Sequence, residues 1–142
     1  MSASPFLFES ERLLYRPFLP EDAEGMYHLN NAPDVLAFTG DAPFESVEAA
    51  RQFIEHYNPY ATTGYGRWTV LLKTTHEYLG WCGLRLDTDS GQTDLGYRFL
   101  PTHRNKGYAT EAGAACLKYG FETLGLQTII GRVVPSLSLI HI

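Results

Sequence analysis

The stretch from Arg67 to Leu100 constrains the fold most, because its polarity alternates with a period of two. Trp68, Val70 and Leu72 alternate with Arg67, Thr69 and Lys73. Residues 74–77 are a turn, and Tyr78 to Leu86 is a second extended run with Gly80 and Gly83 inside it. Asp87 to Gln92 is a polar turn, and Thr93 to Leu100 is a third run. Successive side chains of a strand point to opposite faces, so three such runs with short connections predict an antiparallel meander.

Helical signals lie on both sides of the meander. Arg12 to Arg16 reads as a short strand stopped by Pro17. Pro20 and the acids Glu21, Asp22 and Glu24 suit a first helical turn, where Pro lacks no needed donor and negative charge meets the dipole. Ser46 is placed to cap a second helix, whose stripe is Val47, Ala50, Phe53, Ile54 and Tyr57, with Asn58-Pro59 ending it. A third helix runs from about Tyr108 to Leu124, with Ala109, Ala112, Cys116, Tyr119 and Phe121 expected on its buried side and Gly125 just past its end. Residues 127–134 read as a last, Val/Ile-rich strand. The order is β-α-α-β-β-β-α-β, an α/β or α+β fold with a mixed, mostly antiparallel sheet flanked by helices.

Composition narrows the function classes. The 142 residues suit one domain, and a 44% share of hydrophobic residues supports a packed core. A net charge of −5 argues against a non-specific nucleic-acid coat. No apolar run reaches the ~20 residues of a membrane span, and the N-terminus has no signal-peptide pattern, so a cytoplasmic location and no membrane partner are expected. Cys82 and Cys116 are too few for a disulfide framework and show no metal-ligand spacing, so no metal is expected. Neither has a neighbouring activator, and both read as buried, inert thiols.

The chemistry concentrates between the third strand and the third helix. Arg104-Asn105-Lys106-Gly107-Tyr108-Ala109 joins them, with Gly107 free of a Cβ and a helix N-terminus behind it. Backbone N–H groups, the dipole and two cations converge there, which suits a pyrophosphate. The loop is neither a Walker A loop nor a Rossmann fingerprint. The same residues are also compatible with a basic connection that binds nothing.

The order of motifs along the chain resembles the GCN5-related N-acetyltransferase (GNAT) superfamily, in particular its ribosomal-protein N-terminal acetyltransferase branch. Glu9 to Pro17 and Pro20 to Ala23 resemble that branch's first strand and helix, and Asp94 to Pro101 its fourth strand. Arg104 to Ala109 matches the family's [RQ]-x-x-G-x-[GA] acetyl-CoA motif, Thr110 to Ala112 continues the helix, and Gly131 to Pro135 resembles the fifth strand. The resemblance implies acetyl transfer from acetyl-CoA to a primary amine. In the family the fourth strand bulges and splays from the fifth, and the pantetheine arm lies in the gap. That places Phe99 and Leu100 at the arm through their main chains. Arg104, Asn105, Lys106, Gly107, Tyr108 and Ala109 would hold the pyrophosphate, and Thr110 would help at the helix start. The side chain of Phe99 is expected in the core. Asp94 stands where the branch often has a Glu that takes the amine proton through water, so Asp94 is the candidate base. Glu111 is expected to act structurally and to point away from phosphates.

The acceptor stays open between a protein N-terminus, an amino acid, a polyamine and an aminoglycoside, with whole-chain charge leaning slightly toward a cation. A homodimer stays open as well. The alternative reading is a non-catalytic acyl-CoA-binding or regulatory module. Residues 1–135 are expected to be the N-terminal part of one acetyltransferase domain that lacks the family's last helix and strands, and with them the proton donor to the thiolate. Residues 136–142 do not match the family. Leu137 to Ile142 is what one reading frame of a common sequencing adapter encodes, so that tail is expected to be non-native. No functional residue is assigned after Pro135.

Overall fold

The structure, a computed structural model, describes residues 6–31, 44–87, 89–100 and 107–131. Strand β1 (Phe8–Glu9) turns into β2 (Leu13–Arg16), and a 3-10 turn (Pro20–Asp22) leads into helix α1 (Ala23–Asn31). Helix α2 (Val47–Glu55) and the single turn α3 (Pro59–Thr62) come next. The meander is β3 (Arg67–Leu72), β4 (Tyr78–Asp87) and β5 (Gln92–Phe99). Helix α4 (Tyr108–Lys118) runs on into a π turn (Tyr119–Thr123), and β6 (Ile130–Gly131) closes the sequence of elements. The sheet order is β1 to β6, antiparallel throughout except for the parallel β5–β6 pair. This is the expected α+β architecture, with β1 and α3 added to it.

Helices cover both faces of the sheet. On one face α4 packs Ala112 and Cys116 against Leu13, Tyr15, Trp68, Val70, Cys82, Leu84, Leu95 and Phe99. On the other, α1 and α2 bring Met26, Leu29, Ala50 and Ile54 against Phe18 and Trp81. Ser46 does cap α2, its hydroxyl accepting from the Ala49 N–H at 3.1 Å.

Two departures from the expected faces have local causes. In β4 the pairing with β3 shifts between Val70 and Leu71, so that Leu79 has no direct partner. The slip places Leu79 with Cys82 and Leu84 in the α4 core, while Trp81 faces the other way. It is built on Gly80, whose φ is +149° and whose Cβ would lie 2.0 Å from the Arg98 carbonyl oxygen, so no other residue fits. In the third helix, Phe121 is exposed rather than buried, and Gly120 is buried in its place. The π turn lengthens the hydrogen bond from Leu124 N–H to Tyr119 carbonyl to an i→i+5 span and rotates the following residues off the α stripe. Phe53 of α2 is likewise exposed and meets Phe44 and Tyr57 at the surface.

The corner between β2 and α1 is held by a buried ion pair. Arg16 donates to Asp22 through both terminal nitrogens, at 2.7 and 2.8 Å. The Thr69 hydroxyl and the Leu19 N–H also donate to Asp22, at 2.7 and 2.9 Å. Burial alone would push the Arg16 guanidinium down, but its Asp22 bonds outweigh that and the net shift is upward.

Candidate active site

Helix α4 starts from Gly107, whose φ of +79° lies in the left-handed region. The first helical bond there runs from Glu111 N–H to the Gly107 carbonyl at 3.1 Å. The preceding N–H groups, of Tyr108, Ala109 and Thr110, are those that an α-helix leaves without an internal acceptor. Arg104, Asn105 and Lys106 lie outside the described residues.

Glu111, one turn into α4, is drawn sideways by the β1–β2 corner. Its carboxylate accepts from the Ser10 hydroxyl at 2.6 Å, the Arg12 N–H at 2.7 Å and the Arg12 Nε at 2.6 Å. Burial would raise the carboxyl, but the Ser10 and Arg12 bonds prevail and hold it below its usual range. Arg12 also lies over the Tyr108 ring, 4.6 Å from its centroid. A Cβ added to Gly107 would meet the Arg12 Nη2 at 3.3 Å. The acid nearest the loop is therefore neutralised by a cation and engaged away from α4's first turn.

The strand leading into the loop is β5. Its pairing with β4 is unbroken from Gly80↔Phe99 to Asp87↔Gln92, so the expected bulge does not interrupt this ladder. On its other edge β5 pairs with β6 at Asp94↔Ile130 and Leu95↔Gly131, and residues from 132 on lie outside the described ones. The Phe99 side chain is buried in the α4 core, as expected. The Leu100 N–H donates to the Leu79 carbonyl at 3.0 Å. Strand alternation then turns the Phe99 N–H and carbonyl toward the opposite edge, the one that β6 borders.

Asp94 is buried, 3% exposed, and accepts from Arg85 Nη2 at 3.1 Å. Residues directly opposite in a ladder share a face. The pairs Arg85↔Asp94, Gly83↔Gly96 and Trp81↔Arg98, with Arg67↔Gly83, therefore put Asp94 on one face with three arginines and a tryptophan. Arg67 lies over Trp81 at 4.3 Å from the ring centroid and Arg98 at 5.3 Å. Tyr57 and Tyr60 hold the backbone of Arg67, Tyr57 accepting from its N–H at 3.0 Å and Tyr60 donating to its carbonyl. Burial pushes the Arg67 guanidinium down. Sequence reasoning singled out only Asp94 from this group as a candidate site residue. The group's signal was the cross-strand register, which the turn between β4 and β5 sets for Arg85, Trp81 and Arg98, while the slip at Gly80 moves Arg67 by one position.

Cys82 and Cys116 are fully buried and meet at 3.6 Å between sulfurs, a contact not visible in the sequence. Burial pushes the Cys116 thiol up, which fits the expected inert role. Among the described residues no group of three or more His, Cys, Asp or Glu could hold a metal ion, and no helix is long and apolar enough to cross a membrane.

Comparison with known proteins agrees with this geometry. The acetyltransferase (GNAT) domain model matches residues 12–136. The "Uncharacterized N-acetyltransferase p20" of Bacillus licheniformis is 33% identical over 128 residues, which cover 89% of this chain and 72% of that protein. The crystal structure of an acetyltransferase of the GNAT family from Bacillus anthracis is 30% identical and superposes with a TM-score of 0.73, over 87% of this chain and 70% of that one. A spermidine N-acetyltransferase from Vibrio cholerae, solved with CoA and spermine, shares the fold at 20% identity and a TM-score of 0.68, over 83% of this chain and 69% of that one. With a family model spanning most of its length and relatives at this identity, the chain belongs to the GNAT acetyltransferase family.

Proposed function

We propose that this chain transfers an acetyl group from acetyl-CoA to a primary amine, as a cytoplasmic enzyme of the ribosomal-protein N-terminal acetyltransferase-like branch. The observation that carries the reading is the start of α4. Gly107 turns left-handed at the family's motif position, and Arg12 and Ser10 take up the one carboxylate of the first turn. Arg104, Asn105, Lys106, Gly107, Tyr108, Ala109 and Thr110 bind the pyrophosphate in this reading. The Phe99 main chain pairs with the pantetheine arm. Leu100 is less well placed for the arm, because its N–H is already engaged with the Leu79 carbonyl on the β4 edge. The Vibrio cholerae relative binds CoA, which supports the donor assignment through the shared fold.

The amine attacks the thioester carbon, a C–N bond forms, the C–S bond breaks and the thiolate leaves. The proton lost by the nitrogen passes through water to Asp94. One observation favours the non-catalytic acyl-CoA-binding alternative: Asp94 is buried and paired with Arg85, as a purely structural acid would be.

Three variants test the reading. Gly107→Val adds a branched Cβ at a left-handed φ and should abolish CoA binding in calorimetry while the domain stays folded. Arg104→Ala should weaken CoA more than pantetheine lacking phosphate, and equal loss for both ligands would refute the phosphate role. Asp94→Asn should lower kcat/KM mainly below the pH at which the acceptor amine deprotonates unaided. Parent-like turnover of that variant at pH 7 would favour the binding module.

A further inference from the structure

The face of the sheet that carries Asp94 also carries three guanidiniums. Arg85 is paired with Asp94, while Arg67 has no carboxylate at ion-pair distance among the described residues. The other arginines of the described residues that form ion pairs, Arg12, Arg16 and Arg51, each meet Glu or Asp elsewhere in the fold. The Arg67 Nε is buried with no hydrogen-bond partner. Its guanidinium lies over Trp81, and its Nη2 would be 3.4 Å from a Cβ on Gly96. Gly96 carries no such atom, so the guanidinium extends across the strand two residues from Asp94. Arg67 and Arg98 are half-buried and Arg85 is exposed, so the cluster is partly desolvated and still open to solvent.

A half-buried guanidinium stacked on an indole, with donors to spare, is built to meet a planar anion. Among the described residues Arg67, Arg85 and Arg98 all lie on the face of Asp94, a concentration of positive charge that disfavours a polycation beside the candidate base. We propose that the acceptor is an amine that itself carries an anionic oxygen group, a carboxylate or a phosphate, held by Arg67 and Arg98 beside Trp81. This rests on the acetyltransferase reading and narrows its acceptor class. It replaces the slight lean toward a cationic acceptor drawn from whole-chain charge, because local charge at the site outweighs the distant net charge.

The test compares matched acceptors by release of CoA thiol: pooled L-amino acids, the corresponding amino-acid amides, phosphoethanolamine and spermidine. The acids or phosphoethanolamine should exceed the amides and spermidine in kcat/KM by at least about tenfold, and whichever of the two leads identifies the anion. Arg67→Gln should collapse that ratio toward one, with CoA affinity kept. Arg67→Lys should restore part of it, and Arg98→Gln serves as the second variant if Arg67→Gln does not fold. Equal use of acids and amides, preference for spermidine, or loss of CoA affinity in Arg67→Gln would each overturn the proposal. If no amine of any class releases CoA, the acetyltransferase reading fails by itself. Calorimetric titration with the pooled amino acids and with phosphoethanolamine then decides the anion site: binding that Arg67→Gln abolishes supports it, and no such binding overturns it.

Discussion

Replacing Glu111 by Ala removes the acceptor for three donors at once: the Ser10 hydroxyl, the Arg12 N–H and the Arg12 Nε. The Glu111 side chain is only 15% exposed, but its Arg12 partner is 41% exposed, so water screens much of that ion pair. Taking the lower end of the range for hydrogen bonds to a charged group, and counting the guanidinium as a surface partner, the loss is roughly 2–4 kcal/mol. At about 3 °C per kcal/mol for a chain of this size, the melting temperature should fall by roughly 6–12 °C. The contribution also has a pH signature. The folded carboxyl of Glu111 lies below its ordinary value, so its stabilising effect is present above the unfolded pKa of about 4.3. It is lost as the pH falls through the depressed folded value. Glu111→Gln should therefore flatten the acid limb of the stability curve below about pH 4.3 while costing most at neutral pH. The assay is urea unfolding at a series of pH values, with equal m-values required before midpoints are compared. A loss under about 1 kcal/mol at pH 7, or the same loss at pH 7 and pH 3, would refute the clamp as the source of stability.

Three further outcomes follow from packing. Asp22→Ala strands the buried guanidinium of Arg16 and should cost roughly 3–5 kcal/mol in urea unfolding, with Asp22→Asn costing less. Gly80→Ala forces a Cβ against the Arg98 carbonyl at a φ that L-residues avoid, and should lower the urea midpoint by more than Gly91→Ala, where φ is also positive but no atom lies within 4 Å. The chain's two thiols should stay silent to a thiol reagent in the folded protein and both titrate in denaturant, because Cys82 and Cys116 are fully buried.

The meander was legible within a residue because alternation is a local property that half-buried strands must obey. The cap at Ser46 and the glycine turn into the third helix at Gly107 were legible for the same reason: each depends on its own residue type, although the left-handed φ of Gly107 came only with the structure. The π turn was not, because it follows from Gly120 fitting between Leu84 of β4 and Ile129 just before β6. Nor was the partner of Glu111, since Ser10 lies 101 positions away. The Arg67, Trp81 and Arg98 cluster falls between these cases. Its members are far apart in sequence, yet a turn at residues 87–92 already pairs Arg85 with Asp94 and Trp81 with Arg98 once the ladder is counted outward.

The one-residue slip at Gly80 bears on how such a chain can change its habits. Beyond it, β4 shows Trp81, Gly83 and Arg85 to one side and Cys82 and Leu84 to the other. Of these positions only Arg85 is exposed, so it can change at little cost in packing. Trp81 is held in the α1–α2 core, a Cβ on Gly83 would lie 2.4 Å from the Gly66 carbonyl oxygen, and Cys82 and Leu84 pack beneath α4, so substitutions at these four threaten the fold. Variation along this stretch of β4 is thereby channelled to its far end, beside Asp94, where the framework tolerates it.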